Sequence, residues 1–158
     1  MDKLAIVAAN YLWYLIIGIA VVYFLTRPWP EKKPLLICAA LVLPLVFLAG
    51  LLGGAIYNDP RPFAVDHFVP LIPHKANNGF PSDHVLWSAA IAAIIFPSNR
   101  YLSVVLWILT TAVGASRVYV GVHHVIDIVG SVAIAIGVAI LVDYVLKRLN
   151  IIRFNEIQ

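Results

Sequence analysis

"VLWSAAIAAIIF", residues 85–96, is the stretch on which the fold turns. It is apolar, but its 12 residues fall short of the roughly 20 that a helix needs to cross a hydrocarbon core of about 30 Å. Either it crosses, and the connections at its two ends lie on opposite faces of a membrane, or it is a re-entrant or interfacial piece and they share one face. The neighbouring runs fix the solvent: residues 4–26, 34–57, 101–118 and 124–146 are apolar over the length of a span. The 158-residue chain is 62% hydrophobic and 12% charged, against about a quarter charged for a soluble domain. Residues 1–158 therefore read as a single all-α integral membrane domain, a bundle of about five transmembrane helices. The third span is expected at 83–97, after an outer loop or short interfacial helix over 58–82.

Charge decides between the two readings of the short segment. With five crossings, one side receives Arg27, Lys32, Lys33, Arg100, Lys147, Arg148 and Arg153, and the other Lys3, Arg61, Lys75 and Arg117. Cytoplasmic loops carry the excess of Lys and Arg, so the N-terminus is expected outside and the C-terminus inside. All five histidines, His67, His74, His84, His123 and His124, then fall on the outer side. A failed crossing would put the bilayer between His84 and His123. Gathering of titratable groups on one face marks a site, or else a wet loop that happens to carry histidines.

Other features bound the class. The net charge of +3 comes with no Lys/Arg-rich block, which excludes a nucleic-acid partner. Cys38, the single cysteine, cannot form an intrachain disulfide. The first apolar run is expected to be a retained span, because it is too long for a signal peptide and lacks a small-residue cleavage pattern. "RPWPEKK" reads as a proline-rich polar turn, and the small residues at 49–55 and 88–93, with Gly137 and Ala139, read as close helix packing.

The chemistry begins at "SRVYVGVHHVIDIVG", residues 116–130. Ionisable groups beside a span are costly, and four of them here imply a purpose. On a helix, His123 and Asp127 share a face. The carboxylate can hold one ring nitrogen and leave the other free as nucleophile or base. Arg117 can present a planar fork to an anion, or pair with Asp127, or snorkel to the surface. His124 points about 100° away and reads as a neighbour of the chemistry or a solvated residue, not a second catalyst.

The 58–82 loop adds Arg61, stiffened between Pro60 and Pro62. In "FPSDH", Ser82 reads as the N-cap of a helix whose free N–H groups suit an anion, and His84 follows in the first turn. Arg61 can equally be a surface arginine and Ser82 a plain cap. Together these groups fit phosphoryl transfer: His123 attacks phosphorus, Asp127 supports it, His84 protonates the departing oxygen, and Arg61, Arg117 and Ser82 hold the phosphate. No cofactor or metal is required. A zinc site on His84, His123 and Asp127 is the competing use, opposed by the adjacent arginines.

These residues resemble the type 2 phosphatidic acid phosphatase family, whose pattern runs K-x6-R-P, P-S-G-H, S-R-x5-H-x3-D. The chain has "RP" at Arg61 and Pro62, "PSDH" at Pro81 to His84, and Ser116 and Arg117 followed at the right spacing by His123 and Asp127. The resemblance implies a membrane helical bundle with His123 as nucleophile, Asp127 as its support, His84 as general acid, and Arg61, Ser82 and Arg117 as phosphate ligands. Two positions depart: the lysine falls on Gly54, and the glycine of P-S-G-H is Asp83. Lys75 is expected to supply the missing charge, or else is a solvated loop lysine.

"HKANNGFPSDH" and the short chain are most similar to the bacterial undecaprenyl pyrophosphate phosphatases of that family. The expected function is hydrolysis of a lipid pyrophosphate at the external face of the cytoplasmic membrane, with Phe63, Phe68 and Phe80 making the loop a cover over the head group. The partners are then membrane lipids and an isoprenoid or glycerolipid phosphate. Phosphatidic acid, phosphatidylglycerol phosphate and a lipid A phosphate are alternative substrates. A lipid or anion carrier and a vanadate-binding haloperoxidase are alternative uses of the same pocket.

Overall fold

Hydrocarbon offers no partner to a backbone N–H or C=O, so helices are the economical form for this composition. A computed structural model describes residues 1–151. They form α1 (Asp2–Thr26), α2 (Trp29–Ile56), α3 (Pro62–Val65), α4 (Asp83–Ile95), α5 (Arg100–Tyr119) and α6 (Val125–Arg148), with no strand among the described residues. Four of these, α1, α2, α5 and α6, are long and apolar enough to cross a membrane. Arg153, counted above, lies outside the described residues.

The short segment is the centre of the bundle. With 13 residues, α4 rises only about 20 Å, yet it packs against α1, α2, α5 and α6. Val85, Leu86, Ser88, Ala89, Ala90 and Ala92 are buried, and the small side chains among them let the outer helices come close. Direction alternates along the chain. The His84 ring meets Trp13 edge-on at 5.0 Å and Ser98 Oγ bonds the Tyr23 hydroxyl at 2.8 Å, so α4 runs with α1. The Tyr119 hydroxyl donates to Asp2 Oδ1 at 3.0 Å, so α5 runs back. Phe47 stacks on Trp87, while Cys38 and Val42 share a cavity wall with Ala93 and Ile94, so α2 opposes α4. Residues 57–82 and 120–124 therefore meet at one end, as five crossings require.

A short helix suffices because α4 does not start at the end of the bundle. Trp13, beside His84, lies eleven residues into α1, or about 16 Å along its axis. The 57–82 connection enters the bundle to meet it. Ile72 packs with Ala9, Val120 and Val122, and Leu71 N–H donates to Val120 O at 3.0 Å. Gly121, at φ +81, takes a backbone conformation that favours glycine.

Several expectations are corrected. The "RPWPEKK" turn is mostly helix: Pro28 is the N-cap and α2 starts at Trp29, because proline is tolerated in a first helical turn. A Cβ placed on Gly137 would have nothing within 4 Å, so this glycine is no packing residue, whereas Gly50 approaches Leu86. Phe80 is not a surface cover: its ring fills a slot between Gly53 and Gly130, where an added Cβ would meet it at 3.2 Å and 2.1 Å. Gly130→Ala is therefore expected to destabilise the detergent-solubilised protein by about 1–3 kcal/mol through overpacking. Gly137→Ala is expected to be neutral or slightly stabilising, and thermal melts of the two variants check both.

Candidate active site

Three chain segments converge below that end of the bundle: residues 57–61, residues 77–84 and the α5–α6 turn. Their junction is organised by Asn78. Its Oδ1 accepts from Asp59 N–H (2.9 Å) and Phe80 N–H (3.0 Å), and its Nδ2 donates to Gly54 O (2.9 Å) and Tyr57 O (3.1 Å). The amide thus satisfies carbonyls at the C-terminus of α2 that the helix leaves open. At Gly54 itself an added Cβ would lie 3.0 Å from Phe80 O. The lysine position of the family pattern is occupied here by the close approach of two backbones.

The α5–α6 turn carries His123 outside the helix, because α6 begins only at Val125 and His124 is its N-cap. The two residues still meet, by capping instead of by a shared helical face. Asp127 Oδ2 accepts from His124 N–H (2.9 Å) and sits 3.1 Å from His123 Nδ1. Both side chains are buried, at 3% and 0% exposure. An anion in the first turn of α6 also meets the positive end of the helix dipole.

The free face of His123 looks at Arg61. Arg61 Nη1 donates to Val122 O at 2.7 Å and lies 3.3 Å from His123 Nε2, and its Nε donates to Asn77 Oδ1 at 2.9 Å. The guanidinium is held on three sides. Arg117 is 3% exposed, donates to Ala9 O at 3.4 Å and has a buried Nε with no partner among the described residues. It neither snorkels nor pairs with Asp127. Arg61, Arg117, His123, His84, His74, Asn77 and Asp83 line one cavity of about 350 Å³. Its opposite wall is Phe47, Gly50, Leu51 and Leu86, and Phe47 and Leu51 are about half exposed on the outside of the bundle.

Two expected residues stand differently. Ser82 holds the N-cap position of α4 without a side-chain cap bond, and its buried Oγ has no partner among the described residues. Its N–H donates to Ser131 Oγ at 2.8 Å, and Ser131 Oγ in turn donates to Asp127 O at 2.6 Å, joining α4 to α6. Lys75 is exposed and does not line the cavity, while its neighbour His74 does.

Further residues take part in the junction. Ser131 continues the spacing of His123 and Asp127 by four more positions, a signal that was available. Asn77 and Asn78 stood in the quoted "HKANNGFPSDH" without a role. His124 Nδ1 lies 3.0 Å from Asp59 Oδ2. Asp59, His124 and Asp127 bring one side-chain polar atom each within 4.8 Å of one another, so a second carboxylate stands beside the one that holds His123.

Burial, reinforced by Arg61 and Arg117, pushes His123 below the ordinary histidine range against the pull of Asp127. The ring is then neutral at neutral pH and keeps a lone pair on Nε2. Nitrogen-15 NMR of histidine-labelled protein is expected to show His123 taking up its proton only below about pH 6.5. A midpoint above that value would mean that Asp127 outweighs burial.

The sequence matches the PAP2 superfamily over residues 11–151. It is 29% identical over 145 residues to the bacitracin transport permease protein BcrC of Bacillus licheniformis, covering 91% of this chain and 71% of that protein. Over 86 residues it is 38% identical to the undecaprenyl-diphosphatase BcrC of Bacillus subtilis, covering 54% of this chain and 45% of that one. Among solved structures, Aquifex aeolicus LpxE superposes with a TM-score of 0.68 at 24% identity, covering 89% of this chain and 84% of that chain. This last likeness shows the fold.

Proposed function

The chain belongs to the PAP2 superfamily, and on that premise we propose that it hydrolyses the terminal phosphate of a lipid pyrophosphate through a phosphohistidine, with undecaprenyl pyrophosphate the favoured substrate. The observation that carries this reading is one cavity faced by His84, Arg61, Arg117 and a His123 whose Nδ1 is held on Asp127.

His123 Nε2 attacks the terminal phosphorus, forming an N–P bond as the bond to the bridging oxygen breaks. His84 gives its proton to that oxygen, releasing the lipid monophosphate. His84 then accepts a proton from water, which attacks the phosphohistidine and frees inorganic phosphate. Arg61 and Arg117 stabilise charge on the non-bridging oxygens, where fixed donors act most strongly. Arg61 is already oriented by Asn77 and Val122, so little reorganisation accompanies binding. Ser82, whose hydroxyl is buried and does not line the cavity, supports the phosphate through its place at the start of α4. Lys75, next to cavity-lining His74, meets the outer phosphate at the rim. None of these steps passes through a metal or cofactor.

The apolar wall on α2 suits a lipid whose tail leaves the cavity sideways into the bilayer. We place the site toward the external face of the cytoplasmic membrane. At the opposite end of the bundle, Arg27 lies over Tyr23, Lys32 over Phe24 and Arg100 over Phe96. Such pairing of cations with aromatic rings suits a cytoplasmic interface.

Phosphate release by purified protein from a panel of undecaprenyl pyrophosphate, phosphatidic acid, phosphatidylglycerol phosphate and lipid A tests the reading. The pyrophosphate is expected to be the best substrate, and His123→Ala to lose activity at least about a thousandfold, as when a nucleophile is removed. A carrier would release no phosphate and trap none on His123. Lys75→Ala is expected to raise KM about two- to fivefold, the scale of an exposed charge contact, with kcat unchanged. Kinetics indistinguishable from wild type would remove Lys75 from the site.

A further inference from the structure

Asp59 has no role in the reaction above, yet it touches the carboxylate on which that reaction depends. Its backbone is fixed, with the N–H donating to Asn78 Oδ1 at 2.9 Å and the carbonyl accepting from Gly79 N–H at 2.7 Å. Its side chain is 15% exposed and lies 3.0 Å from His124 Nδ1. One carboxyl oxygen of Asp59 also lies within 4.8 Å of one of Asp127.

Asp127 needs such a partner. Its Oδ2 accepts from His123 Nδ1 and from His124 N–H, while Oδ1 is buried with no donor among the described residues. A buried carboxylate oxygen left without a donor is costly, and two adjacent carboxylates cannot both ionise cheaply. One of the pair keeps a proton. Asp127, with two donors on Oδ2 and the α6 N-terminus behind it, is the better anion. Burial, and then the charge of Asp127, raise the Asp59 carboxyl above its ordinary range. Gly79 leaves room for the arrangement, since an added Cβ there would lie 2.9 Å from Asp127 Oδ2.

We propose that Asp59 is a positioning residue of the reaction: as a protonated carboxyl it donates its O–H to Asp127 Oδ1, accepts from His124 Nδ1–H on its other oxygen, and so holds Asp127 Oδ2 on His123 Nδ1. The inference rests on the catalytic reading of His123. It gives both oxygens of Asp127 a partner. His123 carries its proton on Nδ1 and keeps the Nε2 lone pair, and His124 donates from Nδ1. The titratable groups facing Asp59 are Asp127 and His124 from α6 and its cap, with Arg61 on its own segment. Residues 77–79 bring only amides.

Asn at position 59 keeps both a donor for Asp127 and an acceptor for His124, and Ala keeps neither. The test is kcat and KM for undecaprenyl pyrophosphate on the purified full chain in detergent, across about pH 5 to 9. Asp59→Ala is expected to lower kcat about tenfold or more with KM within about twofold, as loss of an orienting group does. Asp59→Asn is expected to recover to within about threefold of wild type and to hold its kcat further into the alkaline range, because the amide cannot lose the shared proton. The proposal is overturned if Asp59→Ala works at the wild-type rate, if Asp59→Asn is as slow as Asp59→Ala, or if wild type and Asp59→Asn share one alkaline limb. Should Asp59→Ala fail to fold, the rate and alkaline limb of Asp59→Asn decide alone. His123→Ala, run in the same series, separates the two readings: if it is active the catalytic reading falls, and if it is inactive while the Asp59 series fails, only the present inference falls.

Discussion

One buried carboxylate ties the fold to the site. Asp127 is fully enclosed, and burying an anion is expensive unless it is met by donors. It is met by His123, by the His124 backbone at the start of α6, and by the positive end of that helix. The same three contacts cap α6, fix the direction of the last span and turn His123 Nε2 toward Arg61. Capping of α6 and orientation of the imidazole therefore use the same carboxylate. The space around Asp127 is kept by Gly79, and its backbone carbonyl is linked through Ser131 to the first residues of α4.

That link explains how a helix too short to cross hydrocarbon can be the centre of a membrane protein. Surrounded by four longer helices, α4 has few lipid contacts to satisfy, and its length is set by its neighbours. Because its first turn stops well inside the bundle, the 57–82 connection must descend to it. The polar groups of that connection would be unsatisfied at such depth without partners. Asn78 answers three of them and one carbonyl of α2, and Arg61 is clasped by Asn77 and Val122. The cavity is thus a product of the short helix: a pit whose walls are spans and whose floor is the start of α4.

Much of this was legible from residue chemistry and local spacing. His123 and Asp127 stand four apart, Arg61 sits between prolines, and the five histidines segregate once the third segment is allowed to cross. What stayed illegible depends on contacts distant in sequence. Ser131 meets Ser82 across 49 positions and His124 meets Asp59 across 65, and neither partner carries a local pattern that announces the other. The start of α2 was misplaced because prolines that end a helix elsewhere are harmless in its first turn. Gly137 and Gly130 are the same residue type on the same helix. Only the position of Phe80 tells the lipid-facing one from the one that forms a slot.

Gly54 and Asp83 then have a common explanation. Close approach of the Phe80 carbonyl leaves no room for a side chain at Gly54, so the cavity holds two guanidiniums where the family pattern has a further cation. Asp83, on the cavity wall and in the first turn of α4, lies within electrostatic reach of both arginines. It offsets part of their mutual repulsion and is itself favoured by the helix dipole. The same negative charge at the start of α4 weakens the helix end as an anion site. On the proposed reading, anion affinity comes chiefly from Arg61, whose fork is held by Asn77 and Val122, and from Arg117, and only secondarily from the N–H groups of α4.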